Sequence, residues 1–284
     1  MTIDTQTQLC GVLGNPVAHS LSPAIHNAAF QHLGLNYVYL AFPVEQVKEA
    51  IVGIRALGNL RGFSVTIPHK VSAMAFLDEI DTTARHIGAI NTIVKTTSTL
   101  TGYNTDASGA LQALRQAKTA LDGQRVLILG SGGAARAIAF GLALHEPIGG
   151  MTILGIVDEE RETLAADLRK SARISIDEAP FNEETLGTAI EQSHVLIHCT
   201  PLGMHPAVDQ TCVPKDYLKA HLTVMDIVYN PRETRLLREA REMGCATIPG
   251  LEMFLNQAVA QFELWTGRAA PTAVMREILE AQFS

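Results

Sequence analysis

No stretch of this 284-residue chain approaches the roughly 18 consecutive apolar residues that a membrane-spanning helix needs. Basic runs and stripes are missing too, and 22 Lys and Arg stand against 29 Asp and Glu for a net charge of −7. That balance argues against a nucleic-acid partner and against a polybasic membrane anchor. Residues Met1 to Gln8 carry no basic segment followed by an apolar one, so no secretory leader is expected. Cysteine is scarce. Cys10, Cys199, Cys212 and Cys245 are scattered without CxxC spacing, which fits thiols in a reducing cytosol better than disulfides or zinc. Internal repeats and low-complexity linkers are also lacking. What remains is a chain that is 47% apolar and 18% charged, with material for one large or two medium domains.

The first third alternates strand-like and helix-like segments. Leu9 to Leu13 reads as a strand ending at Gly14. Ser22 and Pro23 read as an N-cap and first helical residue, with Gly34 closing that helix. Tyr37 to Phe42 is the next strand, and Val44 to Leu57 a helix with Val47, Ile51, Ile54 and Leu57 on one face. Phe63 to Ile67 is a strand, Met74 to Ala84 a helix, and Ala89 to Lys95 a strand. This alternation predicts an α/β layer with a largely parallel sheet. A second unit begins near Asp106 with a helix over Ala107 to Gln116. The run Arg125-Val126-Leu127-Ile128-Leu129 is a strand buried on both faces. Further strands at Met151 to Val157, Val195 to Cys199, Thr223 to Val228 and near Ile248 give a doubly wound pattern. Met253 to Leu264 and Pro271 to Phe283 are the closing helices.

Three constellations carry chemistry. In Gly62-Phe63-Ser64-Val65-Thr66-Ile67-Pro68-His69-Lys70 a strand stops at a proline and delivers a lysine just past its end. Lys70 is either a surface cation or a held proton carrier, since desolvation lets a lysine titrate nearer neutrality. Asp106, in Gly102-Tyr103-Asn104-Thr105-Asp106, ends a neighbouring segment. In an α/β layer two such ends can meet at one sheet edge, where Asp106 would partner Lys70.

Ser20 and Ser22, before a helix start, offer hydroxyls that could hold a carboxylate; Ser22 could equally be only the cap. A metal reading of His19 and His26 fails for want of acidic partners at ligand spacing. The turn Gly130-Ser131-Gly132-Gly133-Ala134-Ala135 follows a strand and opens a helix. That is the context in which glycines let a backbone approach a dinucleotide pyrophosphate. Asp158, after the next strand, is placed either to bind ribose hydroxyls or merely to open a helix; with Glu159 and Glu160 beside it the loop leans to NAD over NADP.

Together these blocks resemble the shikimate dehydrogenase family over nearly the whole chain. Gly14 to Asn27 follows its GxPxxHSxSPxxHN block, Gly62 to Lys70 its GF(N/S)VTxPxK block, and Gly88 to Thr92 its GAxNT block. Gly102 to Gly109 follows GxNTDxxG, Gly130 to Ala137 follows GxGGxxxA, and Gly250 to Ala258 follows GxxMxxxQA. The resemblance implies an α/β enzyme of two domains that interconverts 3-dehydroshikimate and shikimate for aromatic (chorismate) biosynthesis. Residues 1–106, with 250–284 packing back, would bind substrate, and 107–249 would form a Rossmann-type dinucleotide-binding domain.

Lys70 and Asp106 would be the catalytic pair. Ser20, Ser22, Thr66, Asn91, Tyr229 and Gln257 would bind substrate. Gly130, Ser131, Gly132, Gly133, Ala134, Asp158, Thr200, Met204 and Gly250 would bind NADP or NAD. Serine at position 22 resembles the shikimate type, whereas the family's NADP-binding Asn-Arg-Thr motif is missing around Ile156-Val157-Asp158. The alternatives are an NAD-dependent quinate/shikimate dehydrogenase of quinate catabolism and a non-catalytic shikimate-binding regulator. No metal is expected, and the enzyme would be a cytoplasmic monomer or homodimer.

Overall fold

The computed structural model describes residues 3–97 and 99–283. It divides into two units, one formed by the chain up to Thr105 together with Leu255 onward, the other by Asp106–Phe254. Gly250 to Phe254, counted with the first domain in the sequence reading, therefore falls in the second unit.

The first unit contains β1 (Gln8–Gly14), α1 (Ser22–His32), β2 (Tyr37–Pro43), α2 (Val47–Ala56), β3 (Leu60–Val65), β4 (Glu79–Ile80), α3 (Thr82–Ile87), β5 (Thr92–Lys95) and β6 (Leu100–Tyr103). Its sheet has the order β2-β1-β3-β5-β6-β4. The expected largely parallel arrangement holds for β2, β1 and β3 and for β4 beside β6. It fails at β5, which runs antiparallel to both β3 and β6. The link from β5 to β6 is only residues 96–99, far too short for the crossover that a parallel neighbour requires.

The helix expected over Met74 to Ala84 is broken into a 3₁₀ turn (Ser72–Phe76), β4 and α3. Asp81 causes the last break, because its carboxylate caps α3 by accepting the N–H groups of Thr83 and Ala84. Ser22 is not the cap of α1: the cap position is Leu21, and Ser20 Oγ takes the N–H of Ser22 at 3.3 Å. Gly34, with φ +63°, ends α1 in a Schellman turn closed by Leu35 N–H to the Phe30 carbonyl at 2.9 Å. Ile51, Ile54, Leu60, Phe63, Val65, Ile90 and Ile93 fill one core beneath this sheet.

The second unit opens within α4 (Thr105–Gln116) and continues through β7 (Arg125–Leu129), α5 (Gly133–His145), β8 (Gly150–Gly155), α6 (Asp158–Ser171), β9 (Ser175–Pro180), α7 (Glu183–Glu191), β10 (Val195–His198), β11 (Thr223–Asp226), α8 (Arg235–Glu242) and β12 (Ala246–Pro249). Its six strands are all parallel, in the order β12-β11-β10-β7-β8-β9. Strand β9 went unrecognised in the sequence because Ser175, Asp177 and Glu178 dilute its apolar content, as suits an edge strand. Strand β8 ends at Gly155, two residues earlier than expected, and leaves Ile156 83% exposed.

The chain returns to the first unit through α9 (Gly250–Thr266) and α10 (Thr272–Ala281), the latter packing on α1. Trp265 of α9 donates its indole N–H to the Ile93 carbonyl at 3.0 Å, over Gly62. A Cβ on Gly62 would stand 2.3 Å from both that carbonyl oxygen and the indole nitrogen, so this strand position tolerates no side chain.

Candidate active site

In the first unit the predicted substrate residues gather at one edge of the sheet. Strands β1, β3 and β6 end there and β5 begins there, because Ser64 pairs with Thr92 and Thr92 with Tyr103. Thr66 follows β3 and is tied to β1 through its N–H to the Leu13 carbonyl at 2.9 Å. Gly14 lies so close to it that a Cβ would meet the Thr66 methyl at 2.3 Å. The strand-end loop after Thr66 folds back through His69, whose N–H reaches the Thr66 carbonyl at 2.9 Å and whose Nε2 meets the Val44 carbonyl at 2.7 Å. Lys70 is half-buried, and its carbonyl accepts the N–H of Ile90 at 2.9 Å. Its backbone is thus pinned beside Asn91.

Asn91 is buried, and its side-chain oxygen accepts Thr105 N–H at 2.7 Å, Thr105 Oγ1–H at 3.1 Å and Thr92 Oγ1–H at 2.8 Å. Those bonds hold the residue immediately before Asp106. Lys70 belongs to the first unit; Asp106 lies in the first turn of α4 and belongs to the second.

A buried polar chain that the sequence reading missed supports this edge. Tyr39 Oη meets Ser64 Oγ at 2.7 Å, Ser64 Oγ donates to Gln261 Oε1 at 2.8 Å, and Gln261 Nε2 donates to Thr92 Oγ1 at 3.0 Å. Burial pushes the Tyr39 hydroxyl far up in pKa, against its bonds to Ser64 and Ser22. The signal was available in α9. Trp265 touches Ile93 and Gln261 touches Thr92, so Gln257, one turn earlier on the same face, lies one step nearer the strand ends. Ser22 and Gln257 are buried, and Ser20 is half-buried. His26 stacks on Tyr39 at 4.6 Å, and burial drives its pKa down to about 3 against the opposing effect of Gln261.

In the second unit the predicted cofactor residues stand at the C-terminal ends of the parallel strands. Gly130 adopts φ +111° after β7, and a Cβ there would press on the Cys199 carbonyl at 3.1 Å. At Gly132 and Gly133 an added Cβ would meet no atom within 4 Å. The turn therefore exposes bare backbone at the start of α5, whose cap Gly132 supplies no side-chain hydrogen bond. A helix start with uncapped N–H groups and open space before it fits a dinucleotide pyrophosphate.

Asp158 opens α6, 72% exposed, and accepts a hydrogen bond from Arg161. Arg161 itself is buried and bonded to Glu178, Asp158 and the Gly155 carbonyl. The Arg161 guanidinium is thereby occupied internally. Met204 is 48% exposed beyond the Thr200 turn. The Tyr229 ring lies 4.8 Å from that of Phe254, and burial raises its pKa. Gly250 starts α9 so close to β11's exit that a Cβ would meet the Ile227 carbonyl at 2.5 Å.

A doubly wound parallel sheet with an open glycine turn, joined to a mixed α/β unit with lysine and amide side chains at its sheet edge, defines an oxidoreductase of the nicotinamide-dependent class. Comparison with known proteins narrows this. A family model for the shikimate dehydrogenase substrate binding domain matches residues 12–93, and one for the shikimate 5'-dehydrogenase C-terminal domain matches residues 250–280. The chain is 44% identical to a shikimate dehydrogenase (NADP(+)) of Desulforamulus reducens, over 99% of this chain and 97% of the relative. It superposes on a shikimate dehydrogenase solved in complex with NADP+ with TM-score 0.93 at 38% identity, covering 100% of this chain and 98% of that one. A shikimate 5-dehydrogenase from Listeria monocytogenes, in complex with shikimate and NAD, gives TM-score 0.94 at 37% identity over 98% of both chains. The chain belongs to the shikimate dehydrogenase family.

Proposed function

We propose that this chain is a shikimate dehydrogenase that reversibly reduces 3-dehydroshikimate to shikimate with NADPH or NADH. The observation that carries the reading is the pinning of Lys70 by Ile90 and of Thr105 by Asn91 at one sheet edge. One tie runs from backbone to backbone, Ile90 N–H to the Lys70 carbonyl, and the other from the Thr105 N–H to the buried Asn91 side chain, so both backbone segments are held in place.

When bound, the nicotinamide supplies or accepts the hydride. The chain's task is then to hold the ring hydroxyls and to move one proton. In the oxidative direction Lys70 Nζ takes the proton of the reacting hydroxyl as the carbonyl forms; in the reductive direction it returns it. Asp106 orients Lys70 and offsets its charge. Ser20 and Ser22 hold the substrate carboxylate with Tyr229 nearby, and Thr66, Asn91 and Gln257 contact the ring hydroxyls. Gly130, Ser131, Gly132, Gly133 and Ala134 cradle the pyrophosphate, with Asp158, Thr200, Met204 and Gly250 along the rest of the cofactor.

Within this reading the chain prefers NAD. An apolar Ile156 and three acids, with Arg161 engaged elsewhere, offer nothing to a ribose phosphate. Steady-state rates with shikimate and quinate, each with NAD and NADP, test the whole assignment. Shikimate with NAD should give the highest kcat/KM; a higher value with quinate would move the substrate assignment to the quinate branch. Asp158→Ala should raise KM for NAD and relax discrimination against NADP. Action in the cytosol and a monomeric or homodimeric state complete the proposal. None of the four thiols forms a disulfide, and size-exclusion chromatography with light scattering decides the second point.

A further inference from the structure

The end of β10 carries a buried charged pair that neither the proposed proton transfer nor the glycine turn uses. Asp226, at the end of β11, is fully buried. Its Oδ1 accepts the Val228 N–H at 3.0 Å and faces His198 Nδ1 at 2.9 Å; its Oδ2 accepts the Thr234 hydroxyl at 2.6 Å. The Thr234 oxygen in turn accepts the N–H of Leu237 at 3.3 Å as the cap of α8, so its hydrogen is committed to Asp226.

The Val228 N–H and the Thr234 hydroxyl are thus donors to the Asp226 carboxylate, and the His198 imidazole is bonded to it as well. A buried carboxylate in that state needs a compensating positive charge, and among the described residues His198 is the basic side chain bonded to it. On the other side of the imidazole, Nε2 meets Thr200 Oγ1, which also accepts the Leu202 N–H at 3.3 Å.

Thr200 stands at a particular place. The strand order β12-β11-β10-β7-β8-β9 reverses direction between β10 and β7, and ligands of doubly wound sheets sit in the crevice outside that switch point. A Cβ on Gly130 would lie 3.3 Å from the Thr200 methyl, so Thr200 flanks the glycine turn directly. The same loop is fastened further along, by His205 N–H to the Asn230 carbonyl at 3.0 Å.

We propose that His198 is a positioning residue that sets the polarity of Thr200. As an imidazolium it donates from Nδ1 to Asp226 and from Nε2 to Thr200. With Leu202 N–H donating as well, both lone pairs of Thr200 are taken, and its own hydrogen must point away from them. Thr200 then meets the crevice as a donor, matched to an oxygen acceptor of the bound dinucleotide. A neutral His198 would do the reverse, taking the Thr200 hydrogen on Nε2 and leaving Thr200 to present a lone pair. The environment favours the charged ring. Burial alone disfavours it, but Asp226 and Cys212 raise the His198 pKa well above the ordinary range. The thiol of Cys199, the next residue along the chain, is pushed up in pKa by burial and so stays uncharged.

The inference rests on the reading that the Thr200 loop faces the cofactor, and the tests separate the two. In the full-length ¹⁵N-labelled enzyme without cofactor, long-range ¹H–¹⁵N spectra of the histidine rings, with His198 assigned through His198→Asn, should show both nitrogens protonated through neutral pH. An unprotonated nitrogen on His198 overturns the polarity argument; if His198→Asn fails to fold, Thr200→Val assigns the same ring by its perturbation.

Cofactor dissociation constants, from the fluorescence of NADH or NADPH, should rise roughly tenfold in Thr200→Val, the scale of one hydrogen bond. They should rise no further when His198→Asn is added, and Thr200→Ser should restore them, with KM for shikimate within about twofold throughout. Additive losses, or an equal rise in shikimate KM, overturn the coupling. An imidazolium together with unchanged cofactor affinity in Thr200→Val overturns the placement of the loop instead.

Discussion

The side-chain oxygen of Asn91 accepts the backbone N–H of Thr105 at 2.7 Å, so an amide at the head of one strand fixes the first residue of the helix that carries Asp106. Asn91 was expected only as a substrate ligand. Its oxygen serves the protein, which makes Asn91 a brace of the proposed site. Asn91→Ala should therefore cost stability as well as rate. Leaving the buried Thr105 N–H without its acceptor costs roughly 1–3 kcal/mol, readable as a lowered urea midpoint. Unchanged stability with a lowered kcat would mean that Asn91 acts on substrate alone.

Lys70→Ala should leave folding intact, since the tie to Ile90 runs through the backbone carbonyl and survives the substitution. Its kcat should fall about 10²–10⁴-fold, the usual scale for losing a general acid–base, with a smaller change in KM. A kcat within twofold of wild type would remove Lys70 from the proton path.

Ile156→Arg should raise kcat/KM with NADP while leaving stability within about 0.5 kcal/mol, because the replaced side chain is 83% exposed. It restores a cation where Arg161 is held by Glu178 and Asp158. An unaltered ratio of NADP to NAD activity would show that the phosphate would lie elsewhere.

Stability should fall on mild acidification through His26. Its folded pKa is depressed from 6.5 to about 3, so below pH 6.5 the unfolded chain takes up a proton that the folded chain refuses until near pH 3. Stability is then complete above the unfolded value and declines as pH falls, by up to about 1.4 kcal/mol per pH unit. His26→Phe keeps the aromatic stack on Tyr39 and should flatten this limb between pH 6.5 and 5 in denaturant titrations. Parallel wild-type and variant curves would dismiss the effect.

Gly62→Ala should destabilise the first unit by about 1–3 kcal/mol, because the new methyl group would meet the Ile93 carbonyl and the Trp265 indole at 2.3 Å. Chemical denaturation checks the value. Trp265 is the single tryptophan, and its fluorescence reports on that contact directly.

The strands with undiluted apolar runs were legible in advance. Arg125 to Leu129 could hardly be anything but a strand buried on both faces, and the glycine run after it could only turn tightly into a helix. Short, polar or edge pieces were not. Strand β9, the fragments around Glu79–Ile80 and the antiparallel β5 depend on partners far away in sequence, and no local period encodes which neighbour a strand will find. The same holds within the site. Lys70, Asn91 and the glycine turn announced themselves through spacing. Gln261, Ser64 and Tyr39 read as ordinary strand and helix residues until folding brought them into one hydrogen-bonded chain.

By itself, then, the order of residues determined the parallel layer of the second unit, the glycine turn and the lysine after Pro68, since each follows from local sterics and the burial of apolar faces. The tertiary structure alone decided that Asn91 braces Thr105, that Arg161 is engaged by Glu178, and that His198 meets Asp226. Those are pairings between distant segments, selected because a buried polar group must find a partner wherever the fold supplies one.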